Sequence, residues 1–85
     1  MVIYGVHTQA WGQVGEIEIL SAERSTAESH ARTRSSDWPH GSVAVTAREL
    51  DSVGCLRVLS EWRNGARIDS RGDGPGEWRK TKTVC

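Results

Sequence analysis

The sequence contains no phenylalanine, a single tyrosine and four tryptophans. It also lacks an apolar run of the roughly 18 residues that a membrane-spanning helix needs. The first five residues have neither the basic flank nor the long apolar core of a signal peptide. We therefore expect a cytoplasmic protein with no membrane contact.

Neither sign of charge predominates, because 11 basic residues balance 11 acidic ones. A chain of zero formal charge has no overall field to attract nucleic acid, so nucleic-acid binding is disfavoured. The two cysteines, Cys55 and Cys85, do not form the pattern of a secreted disulfide framework. With 36% hydrophobic residues in 85, the chain should fold as one small domain with little room for an enzyme cleft.

Alternating apolar and polar residues predict four strands, and an alanine-containing segment between the second and third predicts a helix. Asp37-Trp38-Pro39 ends the helix, because a residue before proline is disfavoured in helical conformation. The predicted elements are strands at 2–8 and 14–20, a helix at about 22–36, and strands at 42–50 and 55–62.

This order predicts an α+β fold, a small two-layer ββαββ domain with a mainly antiparallel four-stranded sheet and one helix. We expect the domain to cover residues 1–68 and to be followed by a flexible C-terminal tail at 69–85, where glycine is frequent. Asn64-Gly65 is a tight-turn signal after which residues 66–68 fold back.

The helix has two candidate N-terminal caps and a buried stripe of small residues. Ser21 is one candidate, and Ser25 with Glu28 as a capping box is the other. Ala27 and Ala31 lie one turn apart and face the sheet.

The strand alternation assigns each residue to one of the two sheet faces. The predicted inward residues are Val2, Tyr4, Val6, Ile17, Ile19, Val43, Val45, Leu56, Val58 and Trp62. The predicted outward residues are Glu16, Glu18, Arg48, Arg57 and Glu61.

The topology gathers three tryptophans, Trp11, Trp38 and Trp62, at one end of the domain. His40 and Arg63 lie at the same end. Tryptophan beside arginine is typical of protein interfaces, so these five residues are the predicted partner-binding site. The alternative is that the indoles close the end of the core.

No catalytic or metal-binding motif is evident, and we expect no enzyme activity, no bound metal and no cofactor. His7, His30, His40 and Cys55 share no metal-ligand spacing. In the tail, Trp78, Arg79 and Lys80 form a small basic and aromatic cluster that could contact a phosphate and stack on a base.

Two segments, 25–32 (STAESHAR) and 43–49 (VAVTARE), resemble short open reading frames of actinobacterial phages and mobile elements. The resemblance covers residues 2–62 and implies a setting, in a bacterial host cell or a virion, but no activity. It favours an accessory protein that binds a host or phage protein, through the tryptophan end or by adding a strand to a sheet edge. The alternatives are a self-assembling minor virion protein, homo-oligomeric through its tail, and a weak nucleic-acid binder.

Overall fold

The computed structural model describes residues 2–10, 13–38, 41–49, 56–70, 73, 80–81 and 83–84. These residues form one helix and an antiparallel sheet, so the α+β class is confirmed. None of the described helical residues belongs to a segment long and apolar enough to span a membrane. The elements are β1 (Val2–Ala10), β2 (Gln13–Ser21), α1 (Arg24–Asp37), β3 (Ser42–Glu49), β4 (Leu56–Arg63), β5 (Ala66–Ser70) and β6 (Thr83–Val84).

The strands lie in the order β2-β1-β3-β4-β5, and β6 pairs with the first residues of β4. The predicted four-stranded sheet is therefore corrected to five strands with a short sixth. The Asn64-Gly65 turn joins β4 to β5, with φ of 53° and 77° at its two residues. Positive φ at both positions is the geometry of a two-residue hairpin turn, which Asn-Gly favours.

The predicted boundary between domain and tail at residue 68 falls inside β5, which continues to Ser70. Farther along, Thr83 pairs with Arg57 and Val84 with Leu56. The expectation that everything after residue 68 lies outside the sheet is therefore corrected at these positions. The physical reason is that β4 would otherwise present unpaired backbone groups along this edge.

Helix α1 begins at Arg24, and neither predicted cap has its expected role. The N-cap residue is Glu23, whose backbone amide donates to Ser21 Oγ at 3.0 Å. Ser25 lies inside the first turn, so the capping box is wrong. The buried stripe of Ala27, Ala31 and Ser35 agrees with the prediction of small residues facing the sheet.

The core lies between α1 and one face of the sheet, here called the inner face. Partly buried residues pack around it, and these include both described tryptophans. The core residues are Val6, Ala27, Ala31, Val43, Val45, Ala47 and Leu59, with Val2, Tyr4, Ile19, Trp38 and Trp62 at the periphery.

A β-bulge in β4 changes which of its residues face the helix. Val45 is opposite Ser60 but Thr46 is opposite Val58, so Leu59 is the additional residue in β4. Leu59 is fully buried in the helix-side core. Val58 and Leu56 consequently lie on the other face, and their predicted inward positions are wrong. At such a bulge one strand has an extra residue, so the alternation of inward and outward side chains shifts by one position.

A second bulge, in β2, has the same effect on the first hairpin. Val6 is opposite Ile19 and His7 is opposite Ile17, so Glu18 is the additional residue. Ile17 therefore leaves the inner face, whereas Glu18 accepts a hydrogen bond from Arg34 of α1 at 3.2 Å. The predicted inward Ile17 and outward Glu18 are both corrected.

Of the other residues predicted to face outward, one lies on the inner face and two lie on the face away from α1. Arg57 is opposite Ala47 and lies on the inner face, which corrects its assignment. Glu61 is opposite Ala44, on the face away from α1 as expected. Arg48 is exposed on that same face, and the side chain of Glu16 lies outside the described part of the chain.

Candidate functional site

The sheet face away from α1, here called the outer face, contains a depression of about 130 Å³. The depression lies over Gly5, the one residue of β1 in this region with no side chain. A Cβ atom at Gly5 would lie 3.1 Å from Thr46 Oγ1 and 3.5 Å from Leu20 Cδ2. The residues that line it come from four strands and are Ile3, Gly5, His7, Ile17, Leu20, Thr46, Arg48 and Leu56.

The rim of the depression is mostly apolar, and its most exposed apolar side chains belong to β2. Ile17 is 49% exposed and Leu20 is 64% exposed. The polar groups of the floor are buried, since His7 is 2% and Thr46 is 1% exposed. Neighbouring large apolar side chains that remain in water are typical of a surface that binds another molecule.

The sequence alone did not predict this site. Its lining comes from four strands, and which side chains meet there depends on the strand register and on two bulges. One signal was present. Ile19 and Leu20 are adjacent apolar residues at the end of a strand that otherwise alternates with glutamate. Adjacent apolar residues in a strand indicate that both of its faces are apolar.

Two strands at the edges of the sheet, β2 and β5, are poorly suited to pairing with a partner strand, and the described β6, also at an edge, has only two residues. The register of β2 against β1 shifts at two places, and that of β5 against β4 shifts between Glu61 and Trp62. Bulges twist an edge strand and interrupt its row of hydrogen-bonding groups. Strand addition is therefore less favourable here than contact through side chains on the outer face.

At the predicted tryptophan end, the two described indoles pack against the core. Trp38 follows α1, and the Arg34 guanidinium lies 5.1 Å from its ring centroid. Trp62 donates from Nε1 to Ser60 Oγ at 3.1 Å. Arg63 is exposed next to the β4–β5 turn.

Trp11 and His40, the other two residues of that predicted site, lie outside the described residues. Trp62 is opposite Val43 near the start of β3, and Trp38 precedes that strand by four residues. Their packing supports the alternative interpretation, in which the indoles close the core.

The described residues of the tail contact the helix side of the domain. Asp73 accepts hydrogen bonds from Arg24, at 3.1 Å, and from Arg67. Arg57 donates to the carbonyl of Thr81 at 3.2 Å. Of the predicted tail contacts, Lys80 is exposed, and Trp78 and Arg79 lie outside the described residues.

No protein family, curated protein or solved structure matches this chain. Among the described residues there is also no cluster of three or more histidine, cysteine or acidic side chains placed to hold a metal. Cys55 and Cys85 are not among them.

Proposed function

We propose that this chain is a small accessory protein that binds another protein through the outer-face depression. The observation that carries the proposal is the exposure of Ile17 and Leu20 beside a depression lined largely by apolar side chains. The resemblance of residues 2–62 to phage and mobile-element reading frames suggests a host or defence protein as the partner, which binding would inhibit or redirect.

The energetic basis is the removal of Ile17 and Leu20 from water. Full burial of one such side chain contributes about 1.5 to 3 kcal/mol. Because both are about half exposed in the free chain, a partner recovers a comparable amount from the pair. A stable complex also needs further contacts on the rim, since association itself costs several kcal/mol in lost freedom of motion.

The two alternative functions have weaker structural support. Asp73 and Thr81 contact the chain's own domain, which disfavours a tail that wraps a neighbouring subunit. Three arginines, Arg24, Arg34 and Arg67, pair with carboxylates, and paired guanidinium groups contribute less to phosphate binding.

The test compares substitutions at two apolar residues that are each more than half exposed to solvent. Leu20→Asp places a charge on the rim of the depression, whereas Ile68→Asp changes a residue of β5 that is 52% exposed. The full chain is immobilised and exposed to a bacterial lysate. We expect a protein that the wild type and Ile68→Asp retain and Leu20→Asp retains about tenfold less well.

Urea unfolding of both variants controls for loss of structure. Retention that is equal for Leu20→Asp and the wild type would move the binding surface elsewhere on the domain. Equal loss with both substitutions would indicate non-specific apolar adsorption.

A further inference from the structure

The depression has the volume of one side chain. Pockets for drug-sized ligands measure about 300 Å³ or more, and the depression measures about 130 Å³. A dry cavity of roughly 150 Å³ accommodates a benzene ring. The space therefore matches a single leucine, methionine or phenylalanine side chain.

We infer that the partner inserts one apolar side chain of an amphipathic helix into this depression. The inference rests on the proposed protein-binding function and specifies the kind of partner segment. An amphipathic helix presents side chains from successive turns on one face. One of them would enter the depression over Gly5, and its neighbours would pack on Ile17 and Leu20 at the rim.

A strand is the less suitable partner segment because of the edges of the sheet. Addition of a strand takes its affinity from regular backbone hydrogen bonds. The register shifts in β2 and β5 interrupt that regularity along these two strands, and β6 is only two residues long. A helix needs no backbone bonds to its partner, since its own are satisfied internally.

A second copy of the chain and the chain's own tail are also less suitable. Each partner in a stable complex buries about 800 Å², whereas the exposed rim of Ile17 and Leu20 provides on the order of a few hundred Å². The described tail residues Asp73 and Thr81 lie on the opposite side of the sheet. A transient complex with a short helix can form with a smaller buried area than a stable dimer needs.

Charge at the rim adds a second requirement for the partner. Arg48 lines the depression and is exposed, and no acidic residue occurs among the described residues of the lining. A guanidinium group has several N–H donors and can bind a carboxylate in addition to contacts within its own chain. The partner helix should therefore carry aspartate or glutamate about one turn from its apolar anchor.

The test is selection of a displayed library of random peptides on the immobilised full chain. We expect the enriched peptides to share one large apolar residue with an acidic residue three or four positions away. Their Kd should rise about tenfold on Leu20→Asp and severalfold on Arg48→Gln, and stay unchanged on Ile68→Asp. Ile17→Ser, on the same rim, provides a second variant should Leu20→Asp lower the stability.

Enriched peptides without a shared apolar anchor, or peptides that bind Leu20→Asp as tightly as the wild type, would overturn the inference and leave the proposed function standing. The inference would also fail if the library yielded no binding peptide while a protein from the lysate still depended on Leu20. The partner would then use a larger surface than one helix. If neither experiment yields a Leu20-dependent binder, the proposed function fails too. A dimer that Leu20→Asp dissociates, measured by light scattering, would identify a second copy as the occupant.

Discussion

Ser35 connects the end of the helix to the β4–β5 turn through one hydroxyl group. Its Oγ donates to the carbonyl of Arg32 at 2.8 Å and accepts from the amide of Gly65 at 2.9 Å. The side chain is fully buried, so its removal leaves the Gly65 amide without this acceptor. We expect Ser35→Ala to lower the free energy of unfolding by about 1 to 2 kcal/mol in urea titrations.

The adjacent serine provides the matched control. Ser36 is exposed, and its Oγ lies 3.4 Å from the same carbonyl of Arg32. Ser36→Ala should change the stability by less than about 0.5 kcal/mol. Equal effects of the two substitutions would show that the hydroxyl of Ser35 is not what holds the turn.

Among the described glycines, Gly65 is the one whose backbone has a positive φ. Its φ is 77°, and an added Cβ would lie 2.7 Å from Ser36 Oγ. The hydroxyl can rotate away, so the main cost is the positive φ. We expect Gly65→Ala to reduce the free energy of unfolding by about 1 to 2 kcal/mol.

Asn64→Gly tests the same turn in the opposite direction. The φ of Asn64 is 53°, which glycine adopts without strain, so the stability should change by only a few tenths of a kcal/mol. A loss as large as that of Gly65→Ala would mean that the asparagine side chain, and not the turn conformation, stabilises the hairpin.

At the scale of one element, the bulge in β4 decides which leucine belongs to the core. Leu59 is fully buried, and Leu56 is partly exposed at the outer-face depression. Leu59→Ala should cost about 2 to 4 kcal/mol in the free energy of unfolding, and Leu56→Ala less than about 1.5. Unbroken alternation through β4 predicts the reverse order, so thermal or urea unfolding of the two variants distinguishes the registers.

The helix contributes little apolar area of its own, since its buried residues are Ala27, Ala31 and Ser35. Polar contacts supplement this packing. Glu28 accepts from Ser60 of β4 at 3.2 Å, and Arg34 pairs with Glu18 of β2. These partly exposed contacts orient the helix more than they stabilise it.

At the scale of the whole molecule, the tail adds contacts along the side of β4 that faces away from β3. A chain that ends at Ser70 loses the pairing of Thr83 with Arg57 and the ion pairs of Asp73. We expect its free energy of unfolding to fall by about 1 to 2 kcal/mol. Light scattering should give the same association state for both chains.

A full-length chain that assembles while the shortened chain stays monomeric would contradict this expectation. The tail would then act between molecules, and the self-assembling alternative would become the leading function.

Much of the local structure could be predicted from the residues themselves. The predicted strand at 14–20 is Gln13–Ser21, and the predicted helix at 22–36 is Arg24–Asp37. Alternation and small-residue spacing are local patterns, so they locate elements to within about two residues. Asn64-Gly65 likewise predicted a hairpin turn by its conformational preference.

The site could not be predicted in the same way. Its rim combines Leu20, to which the sequence analysis assigned no role, with Ile17 and Leu56, which were expected in the core. Ile17 and Leu56 were misplaced because each precedes a bulge, and the alternation of side chains before a bulge is out of phase with the alternation after it.

By itself the sequence determined the α+β class, the order of the first elements and the tight turn at Asn64-Gly65, because each of these follows from preferences within a few neighbouring residues. Only the tertiary structure decided the bulges in β2 and β4, the pairing of β6 and the apolar outer face. A bulge interrupts local pairing, and burial of Leu59 against residues distant in the chain compensates for that loss. Such compensation depends on the assembled core and has no local signature.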